Sequence, residues 1–172
     1  MAVARRSGEI AAAAPVIVDT GPLIALARAG RLPLLKNLFG RVYVTPEVMG
    51  ELTLQNDSPD VRAFKSAVRE GWLAKLRLKI AMEVHPFLDA GEASSIAAAG
   101  RRAGALLIID ERLGRREAQR LGIAPTGTAG VLCAAKAGGL IDAVVPILEQ
   151  MRIAGYFLGP NVVLAARRQA GE

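Results

Sequence analysis

Pro15-Val16-Ile17-Val18-Asp19-Thr20-Gly21 is the stretch on which the reading of this chain turns. Three β-branched apolar residues run into a carboxylate, and a Thr-Gly-Pro turn follows. A short apolar run of this kind reads as a strand buried on both faces, as in a parallel sheet. Asp19 then stands at the carboxyl end of that strand, the side on which open α/β sheets bind their ligands. The pattern recurs at Ala105-Leu106-Leu107-Ile108-Ile109-Asp110. Two buried strands that each deliver an aspartate to one edge point to a carboxylate site. The competing reading is that each aspartate only caps the helix after it, a position Asp favours.

Strands and helices alternate outward from these two units. Gly21 to Ala29 and Leu32 to Phe39 read as short helices closed by Gly30 and Gly40, and Arg41 to Val44 as a strand. Thr45-Pro46 opens a helix that carries Glu47, Val48, Glu51 and Leu52. Asn56 to Pro59 is turn-rich, Asp60 to Glu70 is amphipathic, and Trp72 to Leu78 alternates as an edge-like strand. Lys79 to Leu88 reads as a connecting loop. Asp89 to Arg102 is an Ala-rich helix that opens on a capping box, Asp89 with Glu92. Glu111 to Arg120 is a charged helix and Ile123 to Thr126 a last strand. Helices over Gly127 to Ala137, Asp142 to Arg152 and Pro160 to Arg168 follow, with a charged, mobile tail expected after them. The alternation predicts a layered α/β domain around a central parallel sheet.

At 172 residues the chain suits one domain, expected over residues 15–172 after a flexible leader at 1–14. That leader faintly resembles a signal peptide, but Glu9 interrupts it. The core must be mostly Ala, Leu, Ile and Val, because aromatic residues make up only 4%. No apolar stretch approaches the roughly 18–20 residues that span a bilayer, so no membrane partner is expected. A single cysteine, Cys133, excludes an intrachain disulfide; it fits a reducing cytoplasm and reads as a small core residue.

Charge favours a polyanionic partner: 22 Lys and Arg against 16 Asp and Glu leave +6. Arg101, Arg102, Arg112, Arg115, Arg116 and Arg120 crowd around the second strand-acid unit, and Lys75, Arg77 and Lys79 alternate along another stretch. Clustered arginines beside acids suit a phosphate backbone, although a solvated helix face accounts for any one of them. Aromatic platforms for stacking bases are missing, since Tyr43, Trp72, Tyr156 and the phenylalanines do not interleave with the basic residues.

Four acids stand apart: Asp19, Glu51, Glu92 and Asp110. Brought to one edge of a sheet, they repel one another unless a cation offsets them or some take up protons. Oxygen ligands without His or Cys point to Mg²⁺ or Mn²⁺, one ion or two, and His85 has no assigned role. Held by carboxylates, such an ion serves phosphoryl chemistry. Each acid has a plainer reading too. Glu92 is accounted for by its capping box and Glu51 by an exposed helix face, while Glu47 is a first-turn acid left outside the site. Glu111 is either a supporting acid or a solvated one, with the solvated reading preferred. Thr20 either holds Asp19 or caps the next helix.

Five motifs in order resemble prokaryotic PIN-domain proteins: VIVDTGPLIAL (16–26), YVTPEVMGEL (43–52), LDAGEASSIAAA (88–99), LLIIDERLGRREAQRLGI (106–123) and GTAGVLCAAKAGGLI (127–141). They are similar in particular to the branch encoded beside a small antitoxin and related to VapC toxins. The resemblance implies a three-layer α/β/α fold with a central parallel sheet and a Mg²⁺- or Mn²⁺-dependent endoribonuclease. It also implies a homodimer and neutralisation by a cognate antitoxin. Matched by motif, the metal-binding and catalytic acids are Asp19, Glu51, Glu92 and Asp110. Glu92 stands where many PIN nucleases have Asp, and Glu111 where this branch often has a second Asp. Thr20, Arg112, Arg115, Arg116, Thr126 and Thr128 are the candidates to contact RNA, with helix capping the alternative for the threonines.

Two other functions fit an α/β domain with acids at strand ends. A receiver domain that accepts a phosphoryl group needs a Lys just after its last strand, where this chain has Thr126 to Thr128; its nearest Lys136 lies about two helical turns on. A PIN-like fold with a degenerate metal centre would bind nucleic acid or protein without cutting.

Overall fold

The computed structural model describes residues 14–53, 57–77 and 86–172. The expected leader, apart from Ala14, lies outside the described residues, as do Asn56, Leu78 and most of the loop read over Lys79 to Leu88, His85 included. Among the described residues five strands form one sheet: β1 (Val16–Val18), β2 (Val42–Val44), β3 (Leu73–Lys75), β4 (Leu106–Ile108) and β5 (Ala124–Thr126). Every pairing is parallel and the order is β3-β2-β1-β4-β5. Parallel neighbours require crossovers, which the helices supply.

Helices α1 (Thr20–Arg28) and α2 (Pro33–Phe39) connect β1 to β2, and α3 (Pro46–Thr53) and α4 (Pro59–Arg69) connect β2 to β3. Then α5 (Ala90–Gly100) leads to β4, α6 (Arg112–Arg120) to β5, and α7 (Thr128–Ala137), α8 (Val145–Ile153) and α9 (Pro160–Ala170) follow. Alternation along the strands divides the core in two. Val16, Val18 and Ile108 pack with Leu23, Leu26, Leu132 and Leu148 of α1, α7 and α8. Ile17, Leu107 and Ile109 pack on the opposite face with Ile96 of α5 and Ala118 of α6. Helices on both faces of an all-parallel sheet make the expected three-layer α/β/α fold. Cys133 is a buried member of the first core.

Two local expectations are corrected. The eighth helix starts at Val145, not Asp142, with Pro146 in its first turn, the position that tolerates a missing N–H. The charged tail is not loose: α9 runs to Ala170 and packs on α7. The Glu172 carboxylate then accepts hydrogen bonds from the backbone N–H of Val144 (2.7 Å) and Val145 (3.0 Å) and from Lys136 Nζ (2.8 Å). Amides at the start of α8 have no partner within that helix, so a carboxylate there is well placed. Capping from a residue remote in sequence leaves no local signal.

Candidate active site

The chain runs β1, β2, β3 in one direction across the sheet, then returns to place β4 on the other side of β1. The crevice at such a reversal of strand order is where open parallel sheets bind ligands. Asp19 and Asp110 follow the two strands that flank it. Val18 pairs with Ile108, and the Asp19 N–H donates to the Ile108 carbonyl (2.9 Å). Asp19 is therefore level with Ile109, one residue short of Asp110. Alternation then sends the two carboxylates to opposite faces, Asp19 toward α5 and Asp110 toward α7.

Asp19 is only 5% exposed. Its backbone is extended and its carboxylate does not cap α1; Ser95 Oγ of α5 donates to it at 3.4 Å. Burial pushes the Asp19 pKa up to about 7, and the charges of Asp89, Glu92 and Glu51 push the same way, against the Thr20 amide. Glu51 reaches the cluster from α3. The Thr20 hydroxyl donates to Glu51 Oε2, so the Thr20 side chain holds this acid, while its backbone amide serves Asp19. Gly91 lies directly against it: a Cβ there would be 2.7 Å from Glu51 Oε1. Glu92 closes the expected capping box, its N–H donating to Asp89 Oδ1 (2.8 Å) while its Oε2 accepts from the Asp89 N–H (3.2 Å). Its acidity is nevertheless reduced, by burial first and then by Asp89, Glu111 and Glu51, against the pull of the Asp89 N–H.

Asp110 does not cap the following helix. Glu111 does, accepting from the Gly114 N–H at 2.7 Å, which is neither role weighed for it from the sequence. The Asp110 carboxylate instead meets the start of α7, where Thr128 N–H donates to Oδ1 (2.8 Å) and the Thr128 hydroxyl to Oδ2 (2.5 Å). A helix N-terminus favours an anion in this place. Gly127 makes the approach possible, because a Cβ there would stand 2.5 Å from Asp110 Oδ1. Arg115 is tied alongside, its Nη1 donating to the Ile109 carbonyl at 3.2 Å. Arg112 and Arg116 are exposed, while Arg120 pairs with Glu117 (2.7 Å). Thr126, half-buried at the end of β5, has its side chain against Gly130. Lys136, at the far end of α7 from Asp110, is bound to Glu172. It does not meet the requirement of a receiver domain.

Sequence reasoning missed Tyr156. Its hydroxyl donates to Asp110 Oδ2 at 2.5 Å and lies 3.6 Å from where a Cβ of Gly21 would stand. Burial, and then the Asp110 and Asp19 charges, hold its pKa far above the usual phenol value, so it stays a proton donor across ordinary pH. The local cue is Gly155. After α8 the Gly155 N–H donates to the Arg152 carbonyl and the Tyr156 N–H to the Met151 carbonyl, with Gly155 at φ +87°. That is a Schellman motif. It predicts a turn but not what the next side chain will reach.

The family model DUF3368, a PIN domain, matches residues 15–172. The chain belongs to this PIN-domain family. No curated protein matches it. PIN domains are generally nucleases that use divalent metal ions, and the fold of this one brings Asp19, Glu51 and Glu92 into a mutually repelling cluster, with Asp110 across the crevice. Hard oxygen donors carrying like charges suit a divalent cation in chemistry. Among the described residues, however, no three His, Cys, Asp or Glu side chains converge closely enough to hold one ion. Nor is any helix among them long and apolar enough to cross a membrane.

Proposed function

We propose that this PIN-domain protein is a divalent-metal-dependent endoribonuclease. The observation that carries the reading is the crowding of acids in the crevice: Asp19, nearly inaccessible, is buried beside Glu51, Glu92 and Asp89, whose charges oppose its ionisation. A carboxylate kept in that state costs stability, and a bound cation offsets the cost. Asp19, Glu51, Glu92 and Asp110 are the candidate ligands for Mg²⁺ or Mn²⁺. An ion shared by three of them requires side-chain rotation. Once bound, it supplies activation of water and charge compensation at the phosphate.

The chain's own residues divide the remaining work. Thr20 holds Glu51 and the capping box holds Glu92, so both long carboxylates start from restrained positions. Arg112 and Arg116 are exposed on α6, next to the Asp110 end of the crevice, and would take the RNA backbone. Arg115, Thr126 and Thr128 stay closer in, and the Thr128 donors are already committed to Asp110. The VapC-like motifs support a toxin neutralised by a small antitoxin and, by the same resemblance, a homodimer, while the +6 charge supports the polyanionic RNA substrate.

One observation favours a second reading, a PIN fold that binds nucleic acid or protein without cutting. The acids do not converge, and Asp110 is satisfied by three donors from the protein itself. Cleavage of a mixed single-stranded RNA with Mg²⁺, Mn²⁺ or EDTA, beside Asp19→Asn and Asp110→Asn, decides between them. The nuclease reading expects metal-dependent cuts that both variants lose. A folded protein that binds no divalent metal overturns it.

A further inference from the structure

The segment between α8 and α9 alternates. Tyr156 turns inward, Phe157 is 89% exposed and Leu158 is buried again. The inward residue spans the crevice, since its hydroxyl donates to Asp110 Oδ2 on the β4 side and lies beside Gly21 on the β1 side. Among the described residues, no other one in α8, α9 or the segment joining them donates a hydrogen bond to Asp19, Glu51, Glu92 or Asp110. We propose that Tyr156 is a positioning residue for the carboxylate centre. With Thr128, whose N–H also donates to Oδ1, it holds Asp110 Oδ2 between two hydroxyls, which fixes the orientation of the whole carboxylate.

The inference rests on the metal-site reading and adds a residue to it. A carboxylate turns freely about two bonds, and one that must serve as a ligand gains from partners that fix its orientation. Thr128 fixes Asp110 from the start of α7. Tyr156 fixes it from the segment after α8, through a turn set by Gly155. The C-terminal helices thereby take part in the site as well as covering the core.

Tyr156→Phe removes the hydroxyl and keeps the ring. Mn²⁺ titration of the full chain followed by electron paramagnetic resonance should give an affinity about tenfold weaker than wild type, with the melting temperature little changed. Phe157→Ala, which alters the exposed neighbour, should match wild type. A Tyr156→Phe affinity within about twofold of wild type overturns the proposal. If wild type binds no Mn²⁺, the metal reading itself fails, and crystal structures then decide the positioning role alone. A carboxylate of Asp110 that leaves its wild-type place in Tyr156→Phe supports it, and an unmoved one overturns it.

Discussion

Asp19 and Asp110 follow adjacent strands but stand one residue out of step, because Val18 pairs with Ile108 and Asp110 lies two positions past that pair. The offset sorts the acids. Asp19 shares its side of the crevice with Glu51, Glu92 and Asp89, whose charges raise its pKa. Asp110 is held apart by Thr128 and Tyr156. The site is a crowded half facing a hydrogen-bonded half.

The crowded half should cost stability at neutral pH. Asp19 has a folded pKa near 7, against an ordinary value of 3.8, so the folded state keeps a proton that the unfolded state releases between those values. Stability without metal is therefore highest below about pH 4 as far as this group is concerned. It falls by up to about 1.4 kcal/mol per pH unit as pH rises toward 7. Asp19→Asn removes that loss. In EDTA it should melt higher than wild type at pH 8, with the advantage shrinking or reversing at pH 5. Equal melting at pH 8 would contradict the burial argument.

Divalent-metal affinity should follow the same group with the opposite sign. A cation binds the ionised carboxylate, so the proton on Asp19 competes below about pH 7. Calorimetric Mn²⁺ titrations should show affinity dropping toward tenfold per pH unit below that point and levelling above it. A flat profile from pH 5.5 to 8 would mean that Asp19 is not a ligand.

Gly91 offers a test that separates activity from folding. It lies in the first turn of α5, where alanine is a better helix former than glycine. Its added Cβ would come within 2.7 Å of Glu51 Oε1, so the Glu51 side chain must give way. Gly91→Ala should melt no lower than wild type and yet lose at least tenfold in metal-dependent cleavage. Retained cleavage would argue against a role for Glu51 in its present place.

Glu172 is a stability element at the other end of the chain. The Lys136 ammonium and the Val144 and Val145 amides hold its pKa down to about 2, from an ordinary 4.5. Its contribution is present above about pH 4.5 and disappears as pH falls through about 2. Glu172→Gln should lower the melting temperature at pH 7, and the difference from wild type should close as acid is added. A deficit that persists at pH 2 would point to packing in place of charge.

Much of this was legible in the chain itself. The apolar runs before Asp19 and Asp110 and the alternation with helical segments specify a parallel α/β sheet, because hydrophobic period and turn chemistry are local properties. The capping box at Asp89 and Glu92 was readable for the same reason, and so were Asp19, Glu51, Glu92 and Asp110 as the acids worth watching. Their partners were not. Thr20 serves Glu51, Glu111 caps α6, Thr128 serves Asp110, and Tyr156 reaches Asp110 across 46 positions of sequence. Register and the docking of the C-terminal helices decide such pairings. A slip of one residue turns a side chain to the other face of a sheet, and local sequence carries no record of which strand will lie alongside. The sequence alone thus singled out four acids; only the tertiary structure decided which stand together, which is held apart, and that a tyrosine holds it.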